Sequence, residues 1–156
     1  MDRSLIERYE RGAGEPARYI AGLTREQLDA FPVPGTWSIR QIVVHVLDSD
    51  LIATHRMRRI VAEDRPLLIG YDETLFAQRM GYAREDLGVV CRLFALNREW
   101  TSSLLRRLPD ADFARVGVHN QRGLLSLGEM VRLYVDHLTH HERFVREKRA
   151  LLGAPL

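Results

Sequence analysis

The chain has a single cysteine, Cys91, and no apolar run long enough to cross a membrane. One cysteine cannot form an intrachain disulfide, which agrees with a reducing compartment. A membrane-spanning helix needs roughly 18 to 20 consecutive apolar residues. The first residues, MDRSLIERYERG, are charged and amphipathic, without the apolar stretch of a signal peptide. We therefore expect a cytoplasmic protein with no membrane partner.

The chain also has little excess charge of either sign. Its 23 basic residues stand against 21 acidic ones, which gives a net charge of +2 at pH 7. Every basic residue except Lys148 is an arginine, and the arginines are interleaved with acidic residues, as in ERYERGAGE and RMRRIVAEDR. Because a nucleic-acid-binding domain concentrates basic residues on one face, this pattern predicts solvated helix faces and no nucleic-acid partner.

Several catalytic motifs are also missing. The sequence contains no G-x-S-x-G, no glycine-rich phosphate-binding loop and no C-x-x-C pair. Nothing therefore predicts a nucleophile elbow, a nucleotide site or a redox-active dithiol. Cys91 lies between Leu87 and Phe94 in an apolar stripe. A cysteine in such a stripe usually behaves as a small hydrophobic residue, so we do not expect it to be a nucleophile.

What the sequence does have is the composition of a globular protein, 46% hydrophobic and 28% charged over 156 residues. A chain of this length can bury a core of its own, and no repeat or linker divides it, so we expect one domain over residues 1–156. Capping boxes, in which a Ser or Thr precedes a Glu or Gln by three positions, predict helix starts. They are Thr24 with Gln27, Ser38 with Gln41, and Ser126 with Glu129.

Apolar residues at three-to-four spacing predict four long helices. Their expected ranges are 4–23, with two glycines and a proline weakening its middle, 39 to about 61, about 84 to 108, and 127 to about 152. Asp72 can cap a further short helix that Gly81 ends. Residues 113–125 look extended or irregular, with room for a short hairpin. The predicted fold class is all-α: a four-helix bundle with a long connection between its second and third helices.

Three histidines occupy the apolar stripes of these helices. His137 and His141 share a stripe of the fourth helix with Leu127, Met130, Tyr134 and Phe144. Residues four apart on a helix stack on the same side, so both imidazoles can face one point. On the second helix His45 shares a stripe with two isoleucines, at positions 42 and 52, which turns it inward as well.

A lone histidine on an apolar face is usually a core or surface residue with an ordinary hydrogen bond. Three of them together change that expectation. Burying three imidazoles without partners costs on the order of 1–3 kcal/mol each, whereas one cation uses all three lone pairs. The stripes therefore predict a divalent metal ion held by His45, His137 and His141.

The segment WSIRQIVVHVLDSD and the later segment YVDHLTHHERF together resemble the DinB/YfiT-like superfamily of metal-binding four-helix bundles. In that family a Trp-Ser turn leads into a helix with the first metal-ligating histidine. A late His-x-x-His-His cluster supplies the other two through its first and last members. These positions fall on His45, His137 and His141. YDETLFAQR and GLLSLGEMVRLYVDH also look like the family's middle and final segments, so the resemblance covers nearly the whole chain.

The resemblance implies a bundle, often dimeric, that binds nickel, zinc or another divalent ion through three histidines and water. Some relatives are thiol transferases or isomerases that use low-molecular-weight thiols such as mycothiol or bacillithiol. What it implies for this chain is a homodimer that acts on a small-molecule substrate, with a low-molecular-weight thiol as one candidate. It does not imply DNA binding. The metal stays open, because three imidazoles suit several ions.

Three protein ligands leave a coordination position for water or substrate, which distinguishes catalytic zinc sites from closed structural ones. A thiol there would be held as the reactive thiolate, and a water there would be acidified. We therefore predict a metal-dependent enzyme, either a thiol transferase or a related hydrolase. The alternatives are a non-catalytic metal-binding or stress-related sensing protein, and an interaction module with a vestigial site.

The remaining polar and aromatic candidates carry weaker predictions. Asp48, three residues after the first histidine, could orient an imidazole or act as a base, or it could be an ordinary surface carboxylate. His55 and His119 have no comparable alignment and are expected on the surface or in loops, whereas His140 could donate a hydrogen bond to a ligand. Trp37 directly precedes the second helix and is expected to pack as its hydrophobic staple, unless it borders the pocket.

Overall fold

The computed structural model describes residues 2–156, and most of these residues are helical. The helices are α1 (Ser4–Arg11), α2 (Glu15–Ile20), α3 (Arg25–Asp29), α4 (Ile39–Ala62), α5 (Glu73–Arg79), α6 (Leu87–Arg107) and α7 (Leu127–Leu151). The strands are β1 (Leu67–Leu68), β2 (Val116–His119) and β3 (Gly123–Ser126). Among the described residues, no helix is both long and apolar enough to cross a membrane.

Side-chain caps fix where the helices begin. All three predicted capping boxes are formed, and they start α3, α4 and α7. Asp72 caps α5 as predicted, through the backbone N–H of Leu75. Helix α6 begins at Leu87 rather than near Arg84, because residues 82–84 form a separate 3₁₀ turn and Asp86 provides the cap.

The first predicted helix is interrupted at Gly12–Gly14, where a 3₁₀ turn separates α1 from α2. Gly12 lies against the neighbouring helices: a Cβ atom there would stand 2.5 Å from Arg98 Nη1 and 2.7 Å from Leu138 Cδ2. Gly14 has no such neighbour, with nothing within 4 Å of the same position. The first glycine therefore permits close helix packing, and the second does not contribute to it.

The Gly12→Ala variant should lose about 1–3 kcal/mol of unfolding free energy, because the added methyl displaces the Arg98 and Leu138 side chains. Gly14→Ala is the matched control. Gly14 has a φ of -85° and open space around it, so its replacement should leave stability unchanged or raise it by up to about 1 kcal/mol. Urea unfolding measures both, and equal losses in the two variants would contradict the packing argument.

The four-helix bundle is built from α1 with α2, α4, α6 and α7. Helix α4 packs against α6 and α7, and α1 packs against the same two helices. Helix α1 therefore lies diagonally across the bundle from α4, whereas α2 contacts α4. The structure confirms the predicted all-α bundle class, and the contact between α4 and α7 brings together the helices that carry the histidines.

A small sheet occupies the connections. Strand β1 pairs in parallel with β2, and β2 pairs antiparallel with β3, with Leu67 opposite Val118 and Val116 opposite Ser126. The hairpin of β2 and β3 fills most of residues 113–125, for which the sequence predicts an extended or irregular segment with room for a hairpin. Because β3 ends at the cap of α7, the sheet holds the start of that helix against α4.

A buried ion pair joins the helices at the middle of the bundle. Arg98 on α6 and Asp50 on α4 lie 2.9 Å apart, and each side chain is 1% exposed. The Tyr9 hydroxyl and the Asn97 amide also donate to Asp50, and Arg98 donates to the Tyr134 carbonyl on α7. The two apolar clusters of the core lie on either side of this network along α4, α6 and α7.

Candidate metal centre

The three histidines of the sequence stripes meet at one point between α4 and α7. The Nε2 atom of His137 lies 3.3 Å from that of His45 and 3.1 Å from that of His141. One nitrogen from each ring can be chosen so that all three lie within 4.8 Å of one another. His137 and His141 are one turn apart on α7, and His45 faces them from α4 because these two helices pack side by side.

The donor set fits a divalent ion. Two ligands of a tetrahedral zinc, each about 2.0–2.1 Å from the metal, stand about 3.3 Å apart, close to the two Nε2 separations. A neutral imidazole has one donor and one acceptor nitrogen, so three converging Nε2 atoms cannot all be satisfied by hydrogen bonds to each other. Within residues 2–156, the buried Nδ1 atoms of His45 and His141 have no partner, so both rings make their polar contacts through Nε2.

Burial keeps these rings neutral. Burial, with a smaller contribution from the neighbouring histidines, lowers the pKa of His45, His137 and His141 to about 3. Near pH 7 the imidazoles therefore present free lone pairs instead of positive charge. Neutral imidazole is the form that binds a metal ion.

A glutamate that sequence reasoning did not single out also reaches this point. The Oε2 atom of Glu73 lies 3.8 Å from His45 Nε2, and the Glu73 side chain is 60% exposed. Glu73 is the first residue of α5, whose start is fixed by the Asp72 cap. Because α5 is short and lies in a connection, no helical stripe marks Glu73 as inward-facing.

The structure gives Asp48 a different contact from the ones expected. Its Oδ2 atom accepts a hydrogen bond of 2.6 Å from the Tyr82 hydroxyl, and no described hydrogen bond joins it to an imidazole. Burial and this hydrogen bond raise the pKa of Tyr82 above its usual value, so the hydroxyl keeps its proton. A role for Asp48 in orienting a ligand or accepting a proton stays a prediction.

The other candidates divide into buried and exposed residues. Trp37 both packs on the core and lies beside the site, with its ring centroid 4.8 Å from that of His45. His55 and His140 are exposed. The expectation for His119 was wrong: it ends β2 with 6% of its surface exposed, because the strand is sandwiched between β1 and β3. Cys91 is buried as expected, and burial raises the pKa of its thiol.

Two cavities flank the histidines. The small cavity, about 180 Å³, is bordered by His137 on one side and by Tyr71, Tyr134 and Arg56 on others. The wide cavity, about 350 Å³, is bordered by residues 35–37, Ile42, His141 and Phe144. Glu73 borders both cavities. Each cavity therefore brings a small molecule to one of the three rings, and the Glu73 carboxylate stands where the two cavities approach each other.

The fold and this site define a class: a four-helix bundle whose second and last long helices bring three histidines to one point. The model of the DinB superfamily matches residues 8–145 of the chain. A relative from Oceanobacillus iheyensis, described as a candidate metal-dependent hydrolase, is 32% identical over 78% of this chain and 70% of its own. The chain belongs to the DinB superfamily.

A second relative and two solved structures are also similar to this chain. YfiT from Bacillus subtilis, also described as a candidate metal-dependent hydrolase, is 31% identical over 84% of this chain and 74% of its own. Its solved structure superposes with a TM-score of 0.91, covering 96% of this chain and 86% of that one. A mycothiol-dependent maleylpyruvate isomerase superposes with a TM-score of 0.69 at 9% identity, over 89% of this chain and 58% of that one, which shows a shared fold alone.

Proposed function

We propose that this chain is a metal-dependent enzyme that activates a water or a low-molecular-weight thiol on a divalent ion held by His45, His137 and His141. The observation that carries the proposal is the convergence of three neutral imidazoles, one buried and two half-buried, between two cavities. Relatives described as candidate metal-dependent hydrolases support it. Nickel and zinc both suit three imidazole ligands.

The chemistry follows from the donor set. When bound, such an ion acts as a Lewis acid and lowers the pKa of a water or thiol in its remaining coordination position. The chain's own residues hold the substrate and move the proton. Glu73, 3.8 Å from His45 Nε2, is placed to accept a proton from a nucleophile beside the histidines. Trp37 and Phe144 give the wide cavity an apolar wall for the uncharged part of a substrate.

The cavities favour an enzyme over a sensing protein. A sensor can enclose its ion completely, whereas an enzyme must admit a substrate to the open position. Both cavities border one of the proposed ligands, His137 or His141. Screening metal-loaded and chelated protein with ester and amide substrates, and in parallel with thiol acceptors, decides between hydrolase and transferase. Activity that is equal with and without metal would contradict both.

Metal binding should stabilise the fold, and His141 should be needed for that effect. Zinc at a hundredfold excess over its Kd adds about 2.7 kcal/mol to the free energy of unfolding. His141→Ala should lose most of the metal-dependent rise in melting temperature and keep its helical content, because its ring supplies one of the three converging nitrogens. Thermal unfolding with zinc and with a chelator measures this.

The matched control is His140→Ala, which removes an exposed histidine from the adjacent position of the same helix. This variant should respond to zinc like the unmodified protein. If both variants keep the full response, the three-histidine site is wrong.

We also propose that the chain forms a homodimer and is located in the cytoplasm. Helix α6 carries an exposed apolar stripe of Val89, Leu93, Leu96 and Trp100 at three-to-four spacing. A contiguous apolar face of this kind marks an interaction surface, which supports pairing with a second copy.

A further inference from the structure

The small cavity contains a buried positive charge that the proposed metal chemistry does not use. Arg56 on α4 is 6% exposed and borders this cavity. Its Nη2 atom donates to the Ile69 carbonyl and its Nη1 atom makes a long, 3.4 Å contact with the Tyr134 hydroxyl. Its Nε atom is buried and has no partner in residues 2–156.

Comparison with Arg98 shows what Arg56 lacks. Arg98 is even more deeply buried, and it makes two hydrogen bonds to the Asp50 carboxylate and two more to backbone carbonyls. In the described part of the chain, no carboxylate lies within ion-pair distance of Arg56. A buried guanidinium without an anionic partner destabilises a fold, so its presence in a cavity wall favours an anion supplied from outside.

Two other groups around the small cavity are also suited to an anion, one as an unpartnered hydrogen-bond donor and one as a positive charge. The Tyr71 hydroxyl, also in its wall, is buried and has no hydrogen-bond partner in residues 2–156. Arg122 adds a second positive charge at the exposed rim. His119 borders the same cavity as Arg56 and Arg122, and after burial these two charges lower the pKa of His119.

We infer that the small cavity binds a carboxylate of the substrate, held by Arg56 with Tyr71 and Arg122. This inference rests on the proposed function, because it assigns the substrate of the same centre. Arginine is suited to such a partner, since its planar fork of N–H groups matches the two oxygens of a carboxylate. The substrate class is then a small organic acid or an acyl or thiol compound that carries a free carboxylate.

Charge and size orient that substrate. The Glu73 carboxylate beside His45 repels a second carboxylate, so the substrate anion takes the Arg56 end of the cavity and leaves its reacting end at the histidines. Arg56 follows His45 by eleven residues on α4, which is roughly 16 Å of helix rise. Because helical side chains lean back toward the amino-terminal end, the Arg56 guanidinium extends toward His45 and shortens this separation. The cavity volume of about 180 Å³ accommodates a short acidic chain and not a bulky headgroup.

The test is a ¹H–¹⁵N NMR titration of the metal-free protein with sodium butyrate, with its neutral analogue butyramide, and with inorganic phosphate. Butyrate should shift the Arg56 Nε–H signal and bind at least about tenfold more tightly than butyramide, since a hydrogen bond to a charged group is at stake. No metal is present in this titration, so butyrate binding can be observed even if the three histidines bind no ion. The zinc response of His141→Ala tests metal binding separately.

Variants locate the site. Arg56→Gln should abolish the preference for butyrate over butyramide. Arg58→Gln, which removes an exposed arginine that stacks on Trp100 from the same helix, should keep it. If Arg56→Gln does not fold, Arg122→Gln at the exposed rim should still weaken butyrate binding. Equal binding of butyrate and butyramide, an unshifted Arg56 signal, or tighter binding of phosphate than of butyrate would overturn the carboxylate assignment.

Discussion

Replacing Glu73 by glutamine is expected to lower metal-dependent turnover by about 10²–10⁴-fold, the usual contribution of a positioned general base. The Glu73 carboxylate lies 3.8 Å from His45 Nε2 and borders both cavities. Glutamine keeps nearly the same shape and cannot accept the proton. Metal content should be unchanged, because the three proposed ligands are all imidazoles.

The control for this variant is Glu85→Gln, an identical change at an exposed position that borders neither of these cavities. Two measurements on each variant distinguish a catalytic base from a metal ligand. They are steady-state kinetics with the substrate found in the screen, and metal analysis. Equal turnover in the two variants would contradict a catalytic role for Glu73. Loss of the metal along with activity would make Glu73 a ligand instead of a base.

Asp50→Ala should destabilise the fold by about 3–5 kcal/mol, because it leaves a buried guanidinium without its partner. Arg98 is 1% exposed and receives both of its anionic contacts from Asp50. This loss is a large part of the roughly 5–15 kcal/mol that holds a typical domain folded. The double variant Asp50→Leu with Arg98→Met should be more stable than Asp50→Ala, since it removes both charges together.

Urea unfolding of these variants measures the effect. Asp110→Ala provides the exposed comparison, because Asp110 pairs with Arg3 at the surface and its side chain is 71% exposed. Its loss should change stability little, as for most exposed ion pairs. A similar small change in Asp50→Ala would show that the buried network does not stabilise the bundle.

Much of the fold follows from local sequence signals. The capping boxes at Ser38 and Ser126 predict the starts of α4 and α7, and apolar periodicity predicts their lengths to within about a residue at each end. Local signals were weaker where structure depends on distant contacts. Two glycines and a proline mark the weak middle of the first predicted helix, but the close packing at Gly12 and the pairing of β1 with β2 depend on side chains and strands far away in the sequence.

In the site, too, local sequence patterns predict some residues, whereas others depend on contacts between distant parts of the chain. The histidine cluster could be predicted because His137 and His141 continue an apolar stripe and His45 lies on another. Glu73 and Arg56 could not be singled out in this way. A charged residue on a helix or in a connection is usually predicted to be solvent-exposed. Only the three-dimensional packing shows that Arg56 is enclosed and that Glu73 lies close to the histidines.

The most direct test of the account is the metal content of the protein purified without an affinity tag, measured by elemental mass spectrometry. We expect about one divalent ion per chain, bound by a site of this kind, that a chelator removes and that His141→Ala fails to retain. Unmodified protein that holds no stoichiometric ion, and takes up none when nickel or zinc is added, would contradict the central claim.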